Sequence, residues 1–311
     1  MSNWTAADMP DLKNKLAIVT GANSGLGYHT TCELARNGAQ VILACRGREK
    51  TEAAMKEIKA AVPGAKLEFM ALDLADLDSI AAFAKAFKAQ HKKLDILCNN
   101  AGVMALPFVR TKQGFEMQIG TNHLGHFALV GQLLDVLQAT SGARVVSTAS
   151  MAHTWTKGMD LGDLNWERKS YKKWDAYGKS KLANLLFTYE LQRRLSKAGA
   201  NLIGVAAHPG YAATNLQSAG PTMEKSAIGQ FFMKIGNALL AQPAEMGALP
   251  QLYAATMPDV RGGEYYGPNQ MGGNRGYPTK VGSNKASRNE EVAHDLWALS
   301  EKLTGVRYLS A

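Results

Sequence analysis

Cysteine is scarce in this chain, with three among 311 residues: Cys32, Cys45 and Cys98. An odd, small count inside apolar segments excludes a disulfide framework and reads as buried thiols in a reducing compartment. No Cys/His spacing suggests zinc, so no metal is expected. No apolar run is long enough to cross a bilayer, and Met1 to Lys15 lacks the apolar centre of a signal peptide. A cytoplasmic protein without a membrane span is the expectation. Internal repeats and low-complexity tracts are also missing, which argues against solenoids and disordered arms.

Long runs of one charge are missing too. Formal net charge is +9, a balance that fits nucleic acid, a membrane surface or anionic ligands. The basic residues are scattered or paired, as at Lys92-Lys93, Lys172-Lys173 and Arg193-Arg194. None of these reaches the length of a nucleic-acid arm. The charge therefore reads as solvated faces plus a phosphate-bearing ligand, with no nucleic-acid partner.

What is present is an alternation. Short apolar, strand-like runs cover Leu16 to Thr20, Gln40 to Cys45, Lys66 to Leu72, Leu94 to Cys98, Ala143 to Thr148 and Leu202 to Ala207. Between them lie helical patterns at Gly25 to Asn37, Glu49 to Ala61, Leu77 to His91, Phe115 to Ala139 and Ala176 to Lys197. Buried strands alternating with helices imply an α/β fold: one doubly wound parallel sheet with helices on both faces. With 46% hydrophobic residues and no linker, residues 1–311 read as a single domain. Insertions near 153–174 and 211–243 follow the fifth and sixth strands, where substrate walls stand in such folds. The segment from Gly262 to Gly282, dense in Gly, Tyr, Pro and Asn, reads as a turn-rich lid or edge.

The first strand runs into Thr20-Gly21-Ala22-Asn23-Ser24-Gly25-Leu26-Gly27. Glycines there permit positive φ and let backbone N–H groups approach a pyrophosphate, and the next helix begins with a partial positive charge. In this context the cluster is a dinucleotide fingerprint, and the fold is Rossmann-like. The second strand ends in Cys45 and Arg46 rather than a carboxylate. An acidic residue there binds a ribose 2′-hydroxyl; an arginine matches a 2′-phosphate. NADP(H) is therefore the expected cofactor.

Tyr177 and Lys181 lie four residues apart in a helical pattern, so both leave one face. A phenol becomes a useful acid or base when its pKa falls from about 10, and a neighbouring ammonium does that. His123, His126 and His153 have no carboxylate or cysteine at ligand spacing and read as packing or hydrogen-bonding residues.

Taken together these motifs resemble the short-chain dehydrogenase/reductase superfamily. Its signatures recur in order: the glycine turn, Asp73 in Leu72-Asp73-Leu74, Asn99-Asn100-Ala101-Gly102, Asn122, Ser150, Tyr177 with Lys181, and Pro209-Gly210 with Thr214. Thr121 to Phe127 and Tyr177 to Phe187 are similar to retinol dehydrogenases and WW-domain-type oxidoreductases. Light-dependent protochlorophyllide reductases share several of these stretches, but Ala183 stands where that family has a cysteine.

The resemblance implies a hydride transfer between nicotinamide and a carbonyl or alcohol, of alcohol dehydrogenase or carbonyl reductase type. Tyr177 would be general acid/base and Lys181 would hold the ribose. Ser150 would bind the substrate oxygen, with Ser147 and Thr148 as alternatives in the same strand end, and Asn122 would support a water chain. Asp73 and Leu74 would lie at the adenine end, Asn99, Ala101 and Gly102 along the ribose, and Pro209, Gly210 and Thr214 at the nicotinamide. Trp155, Met159, Trp166, Tyr171 and Trp174 lengthen the interval before Tyr177; a lipophilic substrate is expected. A silent NADP-binding regulator and a protochlorophyllide reductase-like enzyme are the competing readings. Monomer and homodimer are both open.

Overall fold

The structure is a computed structural model that describes residues 3–212 and 241–308. Eight strands form one sheet in the order β3-β2-β1-β4-β5-β6-β7-β8. The six expected strands are present as β1 (Leu16–Thr20), β2 (Gln40–Cys45), β3 (Lys66–Ala71), β4 (Ile96–Asn99), β5 (Ala143–Thr148) and β6 (Leu202–Ala207). All pair in parallel. Every residue of β1 is buried, as befits a strand covered on both faces. β1 has β2 on one side and β4 on the other, so the winding direction reverses beside it. That reversal opens a crevice at the carboxyl ends of these strands.

The sheet is not wholly parallel. The glycine- and tyrosine-rich segment forms β7 (Tyr265–Gln270), parallel to β6, and β8 (Arg275–Lys280), antiparallel to β7. Pro268 and Pro278 face each other in this hairpin. Prolines suit an edge, where an absent N–H breaks no ladder, and they also disguise the segment as a turn. The edge reading thus holds for this segment, with two strands that apolar patterning did not reveal.

Helices α1 (Gly25–Arg36), α2 (Arg48–Ala61) and α3 (Leu77–Gln90) follow the first three strands. The single helix expected over 115–139 is broken into α4 (Met117–Ile119), a π-helical turn at Gly120–Leu124, α5 (Gly125–Gln132) and α6 (Leu134–Ala139). Close backbone approach is the reason. A Cβ on Gly120 would lie 2.4 Å from Thr111 Cγ2, and one on Gly125 2.3 Å from the Leu74 carbonyl oxygen. Helix α7 (Lys173–Lys197) begins one turn earlier than its apolar pattern, and α8 (Ala244–Thr256) and α9 (Glu290–Thr304) complete the described set.

Alternate residues of the strands feed two cores. Ile18, Ile42, Leu97 and Val145 meet Phe83, Phe87, Phe127 and Phe187 of α3, α5 and α7. Val19, Val41, Cys98 and Val205 meet Leu34, Leu249 and Leu252 of α1 and α8. Phe127 contacts Phe187, Trp297 and Tyr308 with ring centroids 5.6, 5.1 and 4.7 Å away. This cluster clamps α7, the helix bearing Tyr177, between α5 and α9; truncating such a phenylalanine costs about 3–5 kcal/mol. All three cysteines are free and buried.

Candidate active site

At the crevice beside β1 lies an open cleft of about 1180 Å³. Gly21, Asn23, Ser24, Gly25, Leu26 and Gly27 form its floor, and Asp73, Leu74, Ala101 and Gly102 one flank. Its outer wall carries Arg46, Arg48 and Lys50 against Glu49 and Glu57, three cations to two carboxylates. Gly21 has φ +65°, a left-handed conformation that favours glycine. A Cβ on Gly27 would lie 2.4 Å from the Gly21 carbonyl oxygen and 2.6 Å from Asn100 Nδ2, so no larger residue fits that floor.

These features fit a dinucleotide. Ser24 precedes α1 without a side-chain cap bond, leaving first-turn N–H groups for an anion. Both side-chain polar atoms of Asn99, and Asn100 Oδ1, are buried without a hydrogen-bond partner. Such orphaned groups cost about 1–3 kcal/mol each and call for a ligand or water. Arg46 is exposed and forms no ion pair among the described residues, whereas Arg48 pairs with Glu52 at 2.9 Å and lies over the Phe69 ring. Asp73 is turned partly inward, Oδ1 accepting from Ala75 N at 2.9 Å.

The second half of the site stands where β5, α7 and the π-helical turn converge. Ser150, just past β5, hydrogen-bonds Tyr177. Of the other two candidate hydroxyls, Ser147 Oγ is buried and unpartnered and Thr148 Oγ1 donates to Gln251 Oε1 at 2.6 Å. Lys181 Nζ donates to the Thr148 carbonyl at 3.0 Å and lies 5.8 Å from the Tyr177 ring centroid. A Cβ on Gly102 would meet Asn122 Oδ1 at 3.0 Å and Lys181 Nζ at 3.6 Å, so both groups lie directly behind this cleft-lining glycine. Asn122 is fully buried. Its Oδ1 accepts from Val103 N at 2.8 Å, and its Nδ2 donates to the Val103 carbonyl and to Ser180 Oγ, each at 2.9 Å. It thus braces the loop that follows Gly102 while closing a π-helical turn, an irregularity frequent at functional sites.

The expected depression of Tyr177 by Lys181 is not what this arrangement produces. Burial pushes the phenol up to about 12, with the Ser150 hydrogen bond acting the other way. Burial also pushes the Lys181 ammonium down to about 8. Removing each charged form from water outweighs an attraction across this separation. Tyr177 is therefore a neutral phenol at neutral pH.

Two histidines organise the halves. His126 Nδ1 faces the Asn122 carbonyl at 3.0 Å, so that nitrogen carries the proton, and Nε2 accepts from Thr20 Oγ1 at 3.0 Å. Thr20 Oγ1 accepts from Asn100 N and Ala101 N, both at 2.9 Å. One hydrogen-bond chain therefore joins the β4 exit, the end of β1 and the π-helical turn. Burial keeps His126 neutral, its pKa pushed down to about 4. His153 donates from Nδ1 to the Ser150 carbonyl at 2.6 Å and accepts at Nε2 from Asn284 N at 3.3 Å, pinning the Ser150 turn. Neither histidine is near a metal-binding cluster; among the described residues there is no such group.

The insertion over 153–174 is tied down by Tyr171. Its hydroxyl lies 2.9 Å from Glu116 Oε1 and 2.7 Å from Gln118 Nε2. Glu116 also accepts from Gln118 N and Ile119 N, so this buried carboxylate caps α4.

Four of the expected site residues stand apart from this arrangement or outside the described residues. Asn99 is buried at the end of β4 rather than on the cleft wall. Pro209 stands apart, in a small neighbouring cavity with Leu26 and Thr148; Gly210 packs against the Asn274 carbonyl, 2.4 Å from where its Cβ would be. Thr214 and most of the 211–243 stretch lie outside the described residues. Sequence reasoning missed the functional placement of Thr20, His126 and Glu116. The one local signal was the one-turn spacing of His126 from Asn122.

Residues 15–162 match the family described as short chain dehydrogenase. Retinol dehydrogenase 13 of Homo sapiens is 41% identical over 302 residues, spanning 95% of this chain and 86% of that protein. Retinol dehydrogenase 11 of Mus musculus is 37% identical over 312 residues, spanning 98% and 91%. Among solved structures, an uncharacterized protein from Mycobacterium Paratuberculosis superposes with a TM-score of 0.82 at 43% identity, over 99% of this chain and 100% of that one. Pseudomonas aeruginosa RhlG, solved as an active-site complex with NADP, reaches a TM-score of 0.64 at 20% identity over 82% and 94%, a likeness of fold.

Proposed function

Because the chain belongs to the short chain dehydrogenase family, in a retinol dehydrogenase-like subgroup, we propose that it is an NADP(H)-dependent oxidoreductase interconverting a carbonyl and an alcohol. The observation that carries this reading is the meeting of Ser150, Tyr177 and Lys181, with Lys181 directly behind Gly102 of the glycine-floored cleft. The glycine turn from Gly21 to Gly27 would hold the cofactor, whose reduced nicotinamide would supply the hydride for the carbonyl carbon. Tyr177 gives its phenolic proton to the oxygen as charge develops on it. The Ser150 hydroxyl donates a hydrogen bond to the same oxygen. Lys181, cationic below about 8, favours the phenolate left behind. Asn122 holds the Val103 backbone and so fixes the loop that follows Gly102.

Arg46 supports NADP(H) over NAD(H), since it is the cleft-wall arginine with no ion pair among the described residues. The exposed apolar side chains near Tyr177 support a lipophilic substrate. The phenol's high pKa has a directional consequence. Carbonyl reduction uses the neutral form and stays level through neutral pH. Alcohol oxidation needs the phenolate and rises toward about tenfold per pH unit below the pKa of about 12. Oxidation that is flat between pH 7 and 10 would mean that the phenol titrates below that range.

Steady-state oxidation of NADPH and NADH against a panel of aldehydes and ketones, beside Tyr177→Phe, tests the whole reading. NADPH-selective turnover that the substitution abolishes is the expected result. NADPH binding without turnover of any panel member would favour a silent regulator, and NADH selectivity would overturn the role of Arg46.

A further inference from the structure

We propose that His153 and Asn284 are positioning residues for the Ser150 hydroxyl, holding it where it meets the Tyr177 phenol. The inference rests on the reading of Ser150 and Tyr177 as the pair that binds and protonates the substrate oxygen. It adds the groups that set their geometry. Ser150 is held at both of its polar ends. Its Oγ accepts from Ala152 N at 3.2 Å, which leaves the hydroxyl proton free to donate. Its carbonyl accepts twice from His153, from the backbone N–H at 3.1 Å and from ring Nδ1 at 2.6 Å. The backbone bond alone would close the 3-10 turn at Met151–Trp155. The ring bond is additional. It fixes the tilt of the Ser150–Met151 peptide, and so the direction in which the serine side chain leaves.

The imidazole can do this in one tautomer only. Nε2 faces the backbone N–H of Asn284 at 3.3 Å, so Nε2 accepts and Nδ1 carries the proton. Asn284 also donates from Nδ2 to the His153 carbonyl at 2.9 Å, so one residue fixes both the ring and the backbone of the other. Asn284 is held in turn. Its Oδ1 accepts from Ser287 N at 3.0 Å, capping the 3-10 turn at Lys285–Arg288. The neighbouring Ser283 Oγ lies 2.9 Å from the Tyr189 hydroxyl, which ties this segment to α7. His153 is 1% exposed, and its ring meets that of Tyr265 edge-to-face at 5.9 Å and 78°. Burial pushes its pKa below the ordinary imidazole value, with the bond to the Ser150 carbonyl acting the other way, so the ring is neutral at pH 7.

These contacts bear on the reaction because the Ser150 turn touches α7 beside the phenol. A Cβ on Gly178, the residue after Tyr177, would lie 2.9 Å from the Ala152 carbonyl oxygen. The turn is thus set against α7 by direct backbone contact and against the Asn284 segment by His153. Loss of the second hold lets the hydroxyl drift from the phenol. A displacement of about 1 Å at a reacting group costs about a hundredfold in rate, and loss of one of two holds should cost less than that.

The test compares full-length wild type with His153→Phe, His153→Asn, Asn284→Ala and the double variant His153→Phe/Asn284→Ala. Each is assayed with NADPH and the aldehyde or ketone that wild type reduces fastest in the panel above. Phenylalanine keeps a planar ring against Tyr265 and removes both nitrogens, whereas asparagine keeps a side-chain N–H near the place of Nδ1. The expected kcat is about thirtyfold lower in His153→Phe and within about threefold of wild type in His153→Asn. The NADPH dissociation constant, read by fluorescence titration, should stay within about twofold in both, because the cofactor turn is untouched. Asn284→Ala is expected to lower kcat about fivefold alone and to add nothing to His153→Phe, since it acts through the imidazole. Unchanged kcat in His153→Phe overturns the proposal. So does a loss that His153→Asn fails to restore, or one matched by weaker NADPH binding, either of which assigns His153 to packing. Fully additive losses in the double variant overturn the role of Asn284. Wild type that reduces no panel member with either cofactor overturns the oxidoreductase reading itself, and the positioning role with it.

Discussion

The cofactor cleft and the catalytic cluster are built on opposite principles. The cleft has a floor of backbone and glycine, is open, and leaves Asn100 Oδ1 without a hydrogen-bond partner. The cluster is made of side chains from β5, the π-helical turn and α7, and its members already have protein partners: Val103 and Ser180 for Asn122, Thr148 for Lys181, Ser150 for Tyr177. One region presents donors and acceptors along an open wall; the other has its polar groups paired within the protein. Preorganised dipoles stabilise developing charge without reorganisation during the reaction.

Each half should therefore fail separately. Tyr177→Phe is expected to lower kcat by about a thousandfold while the NADPH dissociation constant, read by fluorescence titration, stays within twofold or so of wild type. A comparable loss of cofactor affinity would dissolve the distinction. Gly27→Ala should do the reverse. Its methyl would stand 2.4 Å from the Gly21 carbonyl oxygen, and forcing the turn apart is expected to weaken NADPH binding by about a hundredfold, an order typical of a misplaced binding element.

The buried histidines give a finer contrast, in stability rather than activity. Burial pushes His123 down to about 3, His126 to about 4 and His208 to about 3, from an ordinary 6.5. As pH falls below about 6.5 the unfolded chain takes up protons that the folded chain refuses, so stability drops until the folded values are reached. Each imidazole contributes a slope of about 1.4 kcal/mol per pH unit over that window. Urea unfolding at pH 7, 6 and 5 should show the loss; a midpoint constant across that range would mean the imidazoles titrate normally. Of the three, His123 lies within the π-helical turn and His126 just after it, so acid should disturb that part of the molecule first.

Arg46→Ala is the smallest of these effects. It should raise KM for NADPH about tenfold and leave KM for NADH near its starting value, because one charge-assisted contact to a phosphate is lost. Equal changes with both cofactors would relocate the discrimination elsewhere on the cleft wall.

How much of this was legible depended on how local each constraint is. The glycine turn was readable because a strand, a positive-φ turn and a helix start follow one another within a dozen or so residues. Tyr177 with Lys181 was readable because helical spacing alone puts them on one face. The hairpin of β7 and β8 was not, since its prolines and glycines resemble a loop until a sheet edge is there to receive them. Nor was the break in the helix over 115–139, which comes from Thr111 and the Leu74 carbonyl pressing on Gly120 and Gly125.

By itself, then, the sequence determined the alternating layers and the glycine turn, and put Tyr177 and Lys181 on one helix face as candidate catalytic side chains, all of which follow from periodicity and short-range spacing. Only the tertiary structure decided which of Ser147, Thr148 and Ser150 meets Tyr177, that Tyr177 stays protonated, and that Thr20 and His126, 106 positions apart, tie the cradle to the π-helical turn. Those outcomes depend on burial and on contacts between distant segments, and desolvation energies have no counterpart in a linear pattern.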